Sequence, residues 1–265
     1  MPIHPSAVID PRAELDSSVT VEPYAVIDGP VRIGPETRIC AHAVVCGHTT
    51  LGARNTVGSF ASIGGPPQDI HYQGEPTELI IGDDNQIREY VSIHRATVKA
   101  SGKTLIGDSN MIMAYCHIAH DCIIADHVIM ANLATLAGHV EIGSHANLGG
   151  LVAIHQFCRI GEYAYIGGMS GIGLDVPPYV ILEGIRNQMR IASINKIGLR
   201  RAGMDRETIK RLEEAFRILF RSPEILLKDA LVKLEEEMGD CAQVQRMVQF
   251  FHSSKRGVVK RTLDD

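Results

Sequence analysis

Three histidines, His120, His139 and His155, fall close together in the middle of the chain, with His117 just before the first and Asp121 just after it. An imidazole with a pKa near about 6.5 suits removal of a proton from a hydroxyl at neutral pH. Asp121 stands where it could hold the tautomer of the His120 ring and stabilise the imidazolium, although an aspartate at such a position also serves as a turn former. Converging imidazoles are equally the ligands of a zinc ion, held at about 2.1 Å. Residue types alone leave the general base and the zinc site both open. Placement decides between them, and placement is set by the elements that carry these residues.

From Ile106 to Ile172 an aliphatic residue recurs at every sixth position, running through Ile118, Ile124, Met130, Leu136, Ile142, Leu148, Ile154, Ile160 and Ile166. The same frame runs from Ile3 to Ile63 and again through Ile81, Ile87 and Ile93. A period of six fits neither a 3.6-residue helix nor an amphipathic strand. It predicts a parallel β-helix with three short faces, one hexapeptide per face and 18 residues per coil, with coils stacked about 4.8 Å apart. Small residues commonly follow the aliphatic one, as in Ile33-Gly34 and Leu51-Gly52, and suit tight corners. Breaks in the frame at 64–80 and 94–105 predict two loops that project from the solenoid, where function tends to sit.

The 18-residue coil places Ile118, Leu136 and Ile154 above one another. His120, His139 and His155 then share one edge on neighbouring coils, with Gly138 and Gln156 beside them and His117 just ahead. His42, His48, His127 and His145 are read as surface residues off that edge. Three rings ranked along an edge of one subunit are poorly disposed around a single ion. That ranking favours the general base, with no metal; a zinc hydratase and a non-catalytic scaffold are the competing classes.

After Pro177-Pro178 the frame gives way to a helical pattern. Asp205 is placed to cap a helix running through Phe220, Ser222-Pro223 to start a second and Asp240 a third. The reading is mainly β: a β-helix over 1–186 and a small α-helical domain over 187–265 that covers the open end of the solenoid. The chain has 265 residues, 5% aromatics and no Trp, which suits a core of stacked aliphatics. Its net charge of −5 is uneven. Residues 186–265 hold 17 Lys/Arg against 12 Asp/Glu, and residues 1–185 hold 9 against 19. A basic end on an acidic protein suits a phosphate-bearing ligand or an acidic protein partner. Six cysteines without a C-x-x-C pair predict free thiols in a reducing compartment. Neither a signal peptide nor a membrane span is read, so a cytoplasmic protein is expected, with no nucleic-acid partner.

Several segments together resemble the UDP-N-acetylglucosamine acyltransferases of lipid A biosynthesis, members of the hexapeptide-repeat acyltransferases. They are Gln68-Asp69, Tyr72, Gly74-Glu75-Pro76-Thr77, Ile93-His94-Arg95, His117 through Cys122, Leu136 through Val140, His155-Gln156-Phe157 and Asp175 through Tyr179. The resemblance implies a homotrimer of left-handed β-helices with sites between subunits. It also implies transfer of a 3-hydroxyacyl chain from acyl carrier protein, on its phosphopantetheine, to the 3-hydroxyl of the UDP-sugar, with no separate cofactor. By motif, His120 matches the general base and Asp121 its adjacent carboxylate. Gln68, Asp69, His71, His117, Gly138 and His139 fall at or beside the positions lining the sugar and acyl-donor site. His155 and Gln156 match positions near the nucleotide and pantetheine, Asn195 and Arg201 match uridine-diphosphate contacts, and Gly168 falls where acyl length is set, implying a chain near C14. Lys is usual where this chain has His71, Glu stands in some members at Ile197 and Arg at Ala202. A 3-amino analogue of the acceptor therefore stays open, as does a coenzyme A-dependent acetyltransferase.

Overall fold

In the computed structural model, residues 3–185 and 188–259 are described; the domain boundary expected at 186/187 lies outside them. Hexapeptides become short strands on three parallel faces. The first face runs from Val8–Ile9 to Gly171–Ile172, the second from Glu14–Leu15 to Arg159–Ile160 and the third from Thr20–Val21 to Val180–Glu183. Ile118 pairs with Leu136 and Leu136 with Ile154, the 18-residue register expected. Their side chains are buried in the aliphatic core of a left-handed β-helix.

Corners separate the faces, and the third residue after each core aliphatic commonly takes a left-handed backbone. Asp121 (φ 60°), His139 (φ 60°) and Phe157 (φ 65°) do so on the corner between the first and second faces. Such a backbone costs a non-glycine residue roughly 1–2 kcal/mol. Hydrogen bonds to the coil below help to offset it: the His139 amide donates to the His120 carbonyl at 3.0 Å. Glycines after the core aliphatic serve another purpose than the one expected of them. A Cβ on Gly34 would lie 2.7 Å from the Gly52 carbonyl carbon, so close approach of coils, rather than turn conformation, selects glycine there.

Both breaks in the frame are loops, shorter than predicted because their flanks are strand. Ser62–Gly65 and Glu78–Ile81 bracket one excursion, and Ser92–His94 and Lys103–Ile106 bracket the other. Arg95 fastens the first loop, donating to the Gly64 carbonyl at 2.9 Å and to the Tyr72 hydroxyl at 3.1 Å.

The C-terminal region is not purely helical. Arg190–Ile194 forms an antiparallel strand on Val180–Glu183 and extends the third face. Four helices follow: α1 (Lys196–Arg201), α2 (Arg206–Phe220), α3 (Leu227–Glu237) and α4 (Ala242–Ser253). Asp205 caps α2 by accepting from the Thr208 amide at 2.8 Å. The other two expected starts are displaced. Ser222 Oγ turns back to the Arg217 carbonyl, and α3 begins five residues after it. Asp240 is engaged with Arg211, leaving Cys241 as the residue before α4.

Candidate active site

The corner between the first and second faces carries the cluster. Asp121 is buried, and its Oδ2 accepts from His120 Nδ1 at 2.8 Å, from Thr97 Oγ1 at 2.8 Å and from the Thr97 amide at 3.1 Å. Burial alone pushes this carboxyl up; the bonds from His120 and Thr97, with His139 nearby, outweigh it and hold it below the usual carboxylate value. An anion facing Nδ1 keeps the proton on that nitrogen, so Nε2 presents its lone pair. His120 folds over Gly138: a Cβ there would lie 2.5 Å from His120 Cε1 and 2.8 Å from Nε2. His139 crosses the His120 ring at 89° and stacks on Phe157 at 4.5 Å. Burial lowers the pKa values of His139, His117 and His94, so these neighbours are uncharged imidazoles at neutral pH.

Two clefts meet at His120. One, of about 620 Å³, is roofed by Gln68, Asp69, Ile70 and Lys99 and reaches His139 and Gln156. The other, of about 560 Å³, runs over the first face from His117 past Ala137 and Gly138 to His155 and Gly173. Lys99 Nζ lies 2.6 Å from Asp69 Oδ2 and joins the two projecting loops over the corner. The Lys99 hydrogen bond and the His71 amide hold the Asp69 carboxyl down at about 2. Cys122, next to Asp121, has its thiol pushed up to about 12 by burial, which excludes it as a nucleophile at neutral pH.

His120, Asp121 and His139 bring ligand-capable atoms within 4.8 Å of one another, a tighter group than the ranking of rings along an edge suggests. Yet His120 Nδ1 and Asp121 Oδ2 sit at hydrogen-bond distance, 2.8 Å. Two ligands of one tetrahedral zinc stand roughly 3.3 Å apart when each bond is about 2.0–2.1 Å. The pair as arranged is an imidazole hydrogen-bonded to a buried carboxylate.

The sequence signature described as UDP-N-acetylglucosamine O-acyltransferase, domain 2, matches residues 175–259, and that of bacterial transferase hexapeptides matches 103–138. An acyl-(acyl-carrier-protein)–UDP-N-acetylglucosamine O-acyltransferase of Thermodesulfovibrio yellowstonii is 50% identical over 97% of this chain and 99% of its own. Its counterpart from Halorhodospira halophila is 49% identical at the same coverage. The chain belongs to the UDP-N-acetylglucosamine O-acyltransferase family. A crystal structure of the Moraxella catarrhalis UDP-N-acetylglucosamine O-acyltransferase superposes with a TM-score of 0.94 at 42% identity, covering 98% of this chain and all of that one. The protein is thus an acyltransferase, and among its described residues no helix is long and apolar enough to cross a membrane.

Not every residue expected at the acyltransferase site reaches this corner within one chain. Gln68, Asp69, His117, Gly138, His139, His155 and Gln156 line the clefts with His120. His71 is exposed on the loop beyond Asp69 and lines neither. Asn195 caps α1 through the Gly198 amide and donates to the Tyr163 carbonyl, near the second-to-third corner. Arg201 is exposed at the end of α1. Gly168 lies on the corner between the third and first faces, beside exposed Met169. His48, expected off the catalytic edge, in fact follows a first-face strand and sits on the same corner, three coils below His120 and exposed. Thr97 and Lys99 were not foreseen; the only signal was that the second loop interrupts the frame just ahead of His120.

Proposed function

We propose that this acyltransferase moves a 3-hydroxyacyl chain from acyl carrier protein to the 3-hydroxyl of UDP-N-acetylglucosamine, the first step of lipid A biosynthesis, with His120 as general base. The observation that carries the reading is the pair on Gly138: Nδ1 bound to a buried carboxylate, Nε2 free at the junction of two clefts. Nε2 takes the acceptor hydroxyl proton as its oxygen attacks the thioester carbonyl. The carbon–sulfur bond then breaks, and the imidazolium returns the proton to the pantetheine thiolate. Asp121 holds the ring throughout. The Gly138 amide, which donates to no acceptor among the described residues, is available to the developing oxyanion.

Two clefts suit two substrates: the loop-roofed one with Asp69 and His139 for the sugar, the one over the first face for the acyl donor. The site works as a homotrimer in the cytoplasm, and Asn195 and Arg201 act across a subunit boundary on the nucleotide diphosphate. Gly168, without a side chain, leaves room for a long chain, near C14. No cofactor is needed beyond the donor's own pantetheine. His71 in place of the usual Lys supports a second acceptor, a 3-amino analogue.

The test incubates the protein with UDP-N-acetylglucosamine, and separately its 3-amino analogue, and 3-hydroxyacyl carrier proteins of several lengths. Transfer to the 3-hydroxyl is expected, fastest near C14; no transfer to either sugar would overturn the reading. Metal analysis is run beside it, and stoichiometric zinc would favour the hydratase.

A further inference from the structure

The C-terminal tail, after α4, returns to the catalytic edge. Asp175, fully buried on the corner above Phe157, receives it: Oδ2 accepts from Ser254 Oγ at 2.7 Å, and the Asp175 amide donates to the Gly257 carbonyl at 2.9 Å. Val258 continues the contact as a β-bridge to Asp175. This docking sets Arg256 against the far end of the cleft over the first face. Its Nε donates to the Gly173 carbonyl at 3.0 Å, and its Nη2 lies 2.8 Å from His155 Nδ1.

A guanidinium has five donors, no acceptor and no proton to lose. A 2.8 Å approach therefore requires a lone pair on His155 Nδ1, and the ring proton must sit on Nε2. The Gln156 carbonyl, 3.2 Å from the same nitrogen, would need the opposite tautomer; the shorter, charge-assisted contact outweighs it. His120 shows the reverse arrangement, with Nδ1 facing a carboxylate. One cleft thus holds two histidines of opposite tautomer, one set to take a proton and the other to donate a hydrogen bond.

We infer that Arg256 is a positioning residue for substrate binding, locking His155 as an Nε2–H donor toward an acceptor oxygen, phosphate or carbonyl, of a bound substrate. The inference rests on the acyl-transfer reading for the identity of that substrate, but not for the tautomer itself.

Full-length protein labelled with 15N-histidine, with the His155 resonances assigned by their loss in His155→Gln, reads the tautomer directly. The Nε2–H form is expected in the unaltered protein and a mixture in Arg256→Met; an Nδ1–H form in the unaltered protein would overturn the inference, whatever its catalytic activity. In transfer assays, Arg256→Met should raise KM about 10-fold for one substrate with kcat within about 2-fold, and Arg256→Lys should recover part of the loss. Varying the UDP-sugar and the acyl carrier protein separately shows which of them supplies the oxygen. Once His155 is Gln, Arg256→Met should add nothing further. Additive losses would mean that Arg256 merely ties down the tail. If no transfer is seen at all, the functional reading fails while the tautomer measurement still decides this one.

Discussion

Two corners of the same solenoid carry histidines and do different things with them: His127, His139 and His145 stand on left-handed backbone, whereas His120 comes one residue before it. Between the second and third faces, His127 and His145 stack flat at 4.7 Å and 14°, and the stack continues through Tyr163. Between the first and second faces, His120 and His139 cross at 89° around Asp121. Three local differences separate them. Sequence order is Asp126-His127 on one corner and His120-Asp121 on the other. Asp126 turns its carboxylate to the Asp108 amide of the coil below, at 2.8 Å, whereas Asp121 holds an imidazole. Where the catalytic corner has Gly138, the other has Ser144. A histidine at a corner is therefore ordinary; what sets His120 apart is a missing Cβ above it and a carboxylate held by a loop, and the proposed base rests on those two differences.

Undoing each difference should move the catalytic corner toward the plain one. Asp121→Asn should cost the most, about 100-fold in kcat, because an amide that donates to Nδ1 moves the ring proton to Nε2. The matching Asp126→Asn, measured in the same transfer assay, should leave kcat within about 2-fold. Gly138→Ala should cost about 10-fold in kcat, since the new Cβ would lie 2.5 Å from the His120 ring and displace it; circular dichroism should show the fold intact. The smallest effect is on stability. His94, His117 and His139 are half-buried with lowered pKa values, so their contribution is complete above about pH 6.5 and is lost as pH falls below it, when the unfolded chain takes up protons more readily. Tm should drop by a few degrees from pH 7.5 to 5.5, and His139→Asn should narrow the drop; a flat profile would show these rings to be solvated.

The solenoid is legible in the sequence because each coil repeats one local rule: an inward aliphatic every six residues. The 18-residue count carries His120, Gly138, His139 and Gln156 to one edge with no further information, since no insertion falls between Ile106 and Ile172. Below residue 94 two loops add residues outside the period, so the number of coils no longer follows from the count; His48, four periods of 18 before His120, nevertheless falls on this edge, and reading it as off the edge is an error of register that the count itself corrects. Thr97 and Lys99 lie inside a loop, where no register fixes a neighbour. Arg256 arrives from the C-terminal tail, and only the docking of that tail on Asp175 brings it to His155. Asp240 and Ser222 carry good capping chemistry, but Asp240 is taken up by Arg211 of α2 and Ser222 by the Arg217 carbonyl at the end of the preceding helix.

We propose His120 as the base of the transfer, held by Asp121 over Gly138. The most direct test is transfer from 3-hydroxyacyl carrier protein to UDP-N-acetylglucosamine by His120→Gly, with and without added imidazole. The expected result is a loss of at least about 100-fold, partly and saturably restored by imidazole in the vacated space. Turnover at the unaltered rate without imidazole would contradict it.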